Sequence, residues 1–228
     1  MTHSSAATDS AAGDLAGDIG RRLAAYRAER GLRVAELARG IGVTPSLISQ
    51  IERGQSRPSV STLFALAQAL DVPVDAFFRE PAAAGPAAEG QVRPASGPER
   101  RPAEARYVVR QGNRAAIDIE GGVRWERLTP ETKAHLDFFE LVYGPGAESN
   151  PTLYSHPGTE MVLMLTGRLD ISVGFETYRL DPGDSMEFPS SLPHRYANPD
   201  HAEARAVTVI MYDCPADVPT PPGAPVHR

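Results

Sequence analysis

The residues best suited to chemistry are gathered in Tyr154-Ser-His156-Pro-Gly-Thr-Glu160 and in Pro193-His194. Two imidazoles and a carboxylate converging from neighbouring strands form a donor set that suits iron(II), and zinc or manganese as well. Without a metal, the same groups would hydrogen-bond a ligand or each other on the floor of a pocket. The residues alone leave both readings open: one divalent metal (iron, zinc or manganese), or a metal-free site. Competing chemistries fall away. No glycine-rich stretch has phosphate-loop spacing, and no Gly-x-Ser-x-Gly or Cys/His nucleophile pairing occurs. Cys214, the single cysteine, reads as a small buried hydrophobe, and His3, His201 and His227 fall in tails or a loop.

Composition bounds what can position this set. The chain has 228 residues, of which 41% are hydrophobic and 23% charged, as expected of one or two ordinary globular domains. One cysteine allows no intrachain disulfide. The first residues lack the basic-then-apolar pattern of a secretory signal, and no apolar run approaches the ~18 residues of a membrane helix. A cytoplasmic protein with no membrane partner is expected. The net charge of −6 argues against coating nucleic acid along the whole chain. Residues 18–80, however, hold nine arginines against seven acids, a local excess of the kind a DNA-binding module carries.

Residues 1–17 are small and polar and read as a disordered tail. From there Ile19, Leu23 and Tyr26 recur at helical spacing up to Gly31, and a second helix covers residues 34–39. Gly40-Ile-Gly42 makes a turn. Thr44 as N-cap with Pro45 at the first helical position starts a third helix, through Arg53, that buries Leu47, Ile48 and Ile51. Ser59 or Ser61 opens a fourth with Leu63, Leu66, Ala67 and Leu70 inside, and residues 74–78 form a fifth. Five short helices, two of them joined by a tight turn, make one bundle containing a helix-turn-helix. The run from Arg22 to Ala38, then Val43-Thr-Pro-Ser-Leu-Ile-Ser-Gln-Ile-Glu-Arg-Gly, Arg57-Pro-Ser and Leu66-Ala-Gln-Ala-Leu-Asp-Val-Pro, resembles the phage-repressor/Cro (XRE) family across residues 18–80. That resemblance implies that the third helix enters the major groove, presenting Pro45, Ser46, Ser49 and Gln50. A glutamine can pair bidentately with adenine, and serines are permissive readers. Arg33 and Thr44 at helix N-termini, with Arg53 and Arg57, are the expected phosphate contacts. Glu52 matches the family's internal acid and is not counted among them.

Residues 81–104, with five prolines and three glycines, read as a semi-stiff linker, so the two domains need not touch rigidly. Beyond it the periodicity becomes two. Short strands are expected around 107–109, 116–119, 123–128, 135–143, 161–165, 169–173, 185–188 and 204–212, split by glycine-rich turns. So many short strands imply an antiparallel sandwich or barrel. Residues 215–228 read as a second disordered tail.

This strand region, taken as 105–214, is similar to the cupin superfamily, whose fold is a jelly-roll (double-stranded β-helix) barrel. Gly146, His156, Glu160 and Gly167 match its first motif, with Tyr154 where a first histidine stands and two extra residues after Gly146. Gly183, Asp184, Pro189, His194 and Asn198 match its second, with Ser191 replacing a glycine. The resemblance implies His156, Glu160 and His194 as the metal set, Tyr154 having displaced a fourth ligand. Trp125, Phe139, Tyr143, Tyr154, Tyr196 and Met211 are the expected walls of an effector pocket. The expectation is a multidomain α plus all-β regulator of transcription. Its cupin domain would sense a small molecule while the helical domain, as a homodimer, reads a palindromic double-stranded operator. The alternative is a mononuclear-iron oxygenase of the hydroxypropylphosphonate-epoxidase type, which joins a similar helical domain to a cupin. Retention of the glycine turn, the cap and the polar third-helix face favours the regulator.

Overall fold

In the computed structural model, residues 19–78, 107–131, 133 and 135–212 are described. The tails expected at 1–17 and 215–228 and the linker at 81–104 lie outside them, as does Cys214.

The first part is helical: α1 (19–29), α2 (Val34–Gly40), α3 (Pro45–Glu52) and α4 (Val60–Ala69), followed by a 3-10 turn at Val74–Phe78. The expected fifth α-helix is therefore a single tighter turn, ended by its own short apolar run, Val-Asp-Ala-Phe-Phe. Caps set the helix starts. The Thr44 hydroxyl accepts from the Leu47 N–H at 3.2 Å, with Pro45 behind it, and the Ser59 hydroxyl accepts from the Thr62 N–H at 3.2 Å. Ile19, Leu23, Leu37, Ile48, Ile51, Leu63, Leu66 and Leu70 fill the bundle. Gly20 lets α1 lie against α3, since a Cβ there would stand 2.3 Å from the Ile51 carbonyl oxygen. Arg27 clamps Glu52 bidentately at 2.6 and 3.1 Å, so Glu52 is an internal acid as the sequence implied.

The second part is two antiparallel sheets. Six strands lie in the order β1 (Ala116–Ile119), β2 (Val123–Arg127), β3 (Leu136–Tyr143), β9 (Ala204–Met211), β4 (Thr159–Thr166), β7 (Ser185–Pro189). Three lie in the order β6 (Glu176–Leu180), β5 (Leu169–Val173), β8 (His194–Ala197). Residues 107–109, expected to be a strand, belong to neither sheet, and Tyr107 is exposed. Two strands went unread in the sequence. β6 is solvent-facing over its first four residues and so lacks alternation, and β8 is only four residues long.

The two parts touch extensively. Helix α4 is apolar on two faces, with Val60, Leu63, Phe64, Leu66 and Ala67 all buried. A helix apolar on both sides must be covered on both. The bundle covers one face, and the barrel mouth covers the other. The Phe64 ring stacks on the His156 imidazole (centroids 3.9 Å apart, 9° between planes) and meets Trp125 edge-on at 5.9 Å. Phe78 stacks on Phe139 at 5.0 Å. Ser61 Oγ donates to Asn150 Oδ1 at 3.0 Å, the Glu120 N–H donates to the Pro58 carbonyl at 3.0 Å, and Arg127 pairs with Asp75 at 3.1 Å. One continuous apolar cluster spans both parts. The expectation that they need not touch rigidly is thereby corrected: it rested on the proline content of 81–104 and missed the second apolar face of α4.

Beside this interface Asp137 is buried, accepting one hydrogen bond from the Tyr212 hydroxyl at 2.7 Å while its Oδ1 has no partner. Burial, with Asp75 nearby, pushes its carboxyl up to about 7, against the Tyr212 hydrogen bond. Below pH ~4 the group is neutral in both folded and unfolded chain. As pH rises from there to 7 the unfolded chain ionises it first, so stability falls across this window by up to about 4 kcal/mol. Asp137→Asn keeps an acceptor for Tyr212 without the ionisation. The variant should match the parent in urea midpoint near pH ~3 and exceed it near pH ~8; equal midpoints at both would show that Asp137 ionises freely.

Candidate functional site

The site is assembled where the two sheets approach each other at the barrel mouth. Glu160 is the second residue of β4, facing inward in register with Phe188 of β7 and Ile210 of β9. His194 opens β8 in the other sheet, opposite Val173. Residues 154–156 are tied to β8 by a bridge: the Tyr154 N–H donates to the His194 carbonyl at 3.0 Å and the His194 N–H donates back at 2.8 Å. The His156 N–H donates to the Ser190 carbonyl at 3.0 Å. Gly158 completes the loop at φ +106°, and a Cβ there would stand 2.2 Å from the Met211 carbonyl oxygen. Only glycine suits both constraints.

The ring nitrogens are oriented by their backbone partners. A carbonyl can only accept, so His194 Nδ1, 2.8 Å from the Leu192 oxygen, and His156 Nδ1, 3.2 Å from the Pro157 oxygen, carry the protons. Each imidazole then turns its Nε2 inward. Glu160 Oε1 accepts from the Tyr196 hydroxyl at 2.8 Å and the Thr208 hydroxyl at 3.1 Å, which leaves Oε2 facing the two histidines at 3.4 and 3.6 Å. His156 Nε2, Glu160 Oε2 and His194 Nε2 are buried without a hydrogen-bond partner, and lie within 4.8 Å of one another. Three converging donor atoms suit a divalent cation, and their outward-facing atoms already have the partners that orient metal ligands.

Electrostatics agree. Burial acts to raise the Glu160 carboxyl, but His156, His194 and the Tyr196 hydroxyl outweigh it and hold it below the usual range, so the carboxylate is charged. Burial holds His194 below its ordinary value, against the pull of Glu160, and so neutral. Tyr154 lies edge-on to His194 at 4.5 Å, and burial lifts its phenol well above the usual range. It is a neutral neighbour of the set rather than an anionic ligand.

Of the expected pocket walls, Trp125, Phe139, Tyr143, Tyr154 and Tyr196 are buried, and they pack on one another or on the site histidines. Met211 is on the outward side of β9, whose inward positions are Ala204, Ala206, Thr208 and Ile210. That alternation carries the signal for Thr208, which sequence reasoning missed: it is the one hydroxyl among small and apolar inward residues. Phe64 was missed because nothing in the helical pattern distinguishes an α4 residue buried by the bundle from one buried by another domain.

On the helical side, Thr44, Pro45, Ser46, Gln50, Arg33 and Arg53 are exposed and Ser49 is half-buried. Arg33 is engaged with Glu36: its Nε and Nη2 both donate to Oε1, at 3.0 and 2.6 Å, and its backbone N–H donates to Oε2 at 2.8 Å. Arg53 donates to Gln55 at 2.9 Å. Arg57 points to the barrel, 3.8 Å from Asp118. No helix among the described residues is long and apolar enough to cross a membrane.

The chain matches the helix-turn-helix family over residues 23–77 and the cupin domain family over 139–210. It is 26% identical over 200 residues to the HTH-type transcriptional regulator SutR of Escherichia coli, covering 87% of this chain and 97% of that protein. An uncharacterized HTH-type transcriptional regulator, y4dJ of Sinorhizobium fredii, is 41% identical over 54 residues, 24% of this chain and 70% of the other. The crystal structure of an HTH_3 family transcriptional regulator from Vibrio cholerae shares the fold over 89% of this chain and 99% of its own, with a TM-score of 0.61 and 22% identity.

Gly158→Ala should force the loop away from β9 and cost about 2–4 kcal/mol, read as a lowered urea midpoint. An unchanged midpoint would mean that the 154–160 loop is not held against Met211.

Proposed function

Starting from a chain that belongs to the helix-turn-helix (XRE-type) transcriptional-regulator family and carries a cupin domain, we propose that it is a sequence-specific DNA-binding regulator of transcription whose cupin domain senses a small molecule. The observation that carries this reading is the open α3 face. Pro45, Ser46 and Gln50 stand exposed on a capped helix while α4, on another side of the bundle, is occupied by the barrel. Gln50 is the expected adenine reader, and Arg33, Thr44 and Arg53 the phosphate contacts at the groove edge. Arg57 joins them only if it leaves Asp118. A single reader covers one half-site, so the reading includes a homodimer on a near-palindrome. The outer face of the six-stranded sheet, where Leu163 and Leu165 of β4 are exposed, supports that pairing through the barrel. Work on an operator keeps the protein with the DNA, in the cytoplasm.

His156, Glu160 and His194 are the residues that would hold a divalent metal, iron, zinc or manganese. When bound, the ion would supply a positive centre that neutralises Glu160 and ties His156 and His194 together beneath Phe64. The oxygenase alternative has less support, because the relatives carry regulator names and the α3 face keeps its cap and polar positions.

Selection of genomic fragments by the purified protein should return a shared palindrome. Gln50→Ala should weaken binding by about 1–3 kcal/mol and relax preference at one base position per half-site. Fragments with no common sequence would sink the regulator reading. Metal analysis of the protein as purified, followed by titration of the stripped form, should show one ion per chain. Glu160→Gln should lower that affinity at least ~100-fold, and an equal affinity in the variant would remove these residues from any metal site.

A further inference from the structure

The aromatic side chains expected to wall an effector pocket inside the barrel are packed on one another, whereas a cavity of about 390 Å³ opens beside His156, between the barrel mouth and α4. Its lining comes from both domains: Phe64, Gln68 and Asp71 from the reader, Ser155, His156 and Tyr212 from the cupin. This volume lies in the range of small-molecule sites. We propose that this cleft is the effector site, that it takes a small aromatic-sized molecule carrying no negative charge, and that its occupant fastens the reader to the barrel. The proposal deepens the regulator reading and rests on it.

The charge preference follows from the lining. Among the described residues no lysine or arginine borders the cleft, and the one carboxylate on its rim is that of Asp71. That residue follows α4 at φ +49°, a conformation for which glycine is the default and aspartate is tolerated. Its N–H donates to the Gln68 carbonyl at 3.1 Å, so the backbone is held and the exposed carboxylate stands over the opening. Arg30 reaches only the Asp71 carbonyl, at 3.2 Å. The apolar lining from Phe64, Ala65, Val72 and Pro73, with the hydroxyl of Ser155 and the amide of Gln68, suits an aromatic body with one polar group.

The coupling follows from the division of the lining. A ligand that touches α4 and the 155–157 loop together loses half its contacts when the domains part, so it binds the docked arrangement better and shifts the population towards it. The same linkage makes operator DNA and ligand alter each other's affinity by one factor.

Benzylamine, benzyl alcohol and benzoate have one shape and three charges. Added to the full-length protein, the first two should raise the melting temperature and change the emission of Trp125, the chain's only tryptophan, which meets Phe64 edge-on. Affinities should be on the order of millimolar for ligands of this size, with benzoate at least ~10-fold weaker. Asp71→Asn should bring benzylamine down to the level of benzyl alcohol. Ala65→Phe, which fills the cleft from α4, should abolish binding of both while operator binding, measured separately, persists. Binding that survives Ala65→Phe, tightest binding of benzoate, or no response to any of the three would overturn the proposal. Loss of operator selection by the parent protein would instead strike the regulator reading, whatever the cleft binds.

Discussion

Two apolar faces on one helix impose the arrangement of this molecule. In α4, Leu63 and Leu66 belong to the bundle, while Phe64 lies on His156 and Trp125. A three-turn helix has room for this because residues at i and i+3 or i+4 share a face and neighbouring positions do not. If the bundle stood alone, Phe64 and Phe78 would be in water. If the barrel stood alone, Trp125, Tyr154 and His156 would lose their cover. Burying each phenylalanine stabilises the docked form by roughly 2–3 kcal/mol, and the pair Arg127–Asp75 and the Ser61–Asn150 hydrogen bond fix its orientation. The docking thus has an apolar driving force and a polar register, as the interior of a domain has.

The constellation beneath Phe64 follows from a different constraint, the need to satisfy each buried polar atom. The chain satisfies every outward-facing atom of the set: both Nδ1 protons on carbonyls, Oε1 on two hydroxyls. It leaves unsatisfied only the three that face one another. A structural cluster would more economically place a donor at that centre, and Tyr154, two residues before His156, is held as a neutral phenol against the edge of His194. Its substitution for a histidine removes one ligand without supplying a bond to the remaining three. The set that remains is compact, buried and charged by one carboxylate, which is the chemistry a divalent ion complements.

Much of this was legible in the chain. Caps at Thr44 and Ser59 and the Pro45 position located α3 and α4 closely, because capping is a local hydrogen bond with a local residue requirement. Glu160 and His194 were legible as a pair because motif spacing follows strand and turn lengths. What escaped notice was long-range or lacked alternation. β6 shows no period, since four of its five residues face solvent. Met211 lies on the outer side of β9 because its parity is fixed by Ala206 and Thr208 rather than by its own hydrophobicity. The contact of α4 with the barrel was hidden most deeply: burial by the reader's own helices and burial by a second domain leave the same apolar letters in the sequence.

That hidden contact also sets the scale on which a signal can act. If the docked and released forms differ by only a few kcal/mol, a ligand that binds the docked form ~100-fold better moves the balance by about 2.7 kcal/mol, enough to convert a mixed population into a nearly pure one. A deep effector site wholly within the barrel would have to pass such a bias outward through β-strands that are packed on both sides. A site roofed by Phe64 does not, because the element that feels the ligand is the helix that follows α3 by one short loop, Arg53 to Ser59. Gly20 seats α1 on the end of α3, and Arg27 holds Glu52, so α3 moves with the bundle rather than within it. The reader therefore responds as a rigid body. Docking fixes where the exposed residues of α3 stand relative to the barrel.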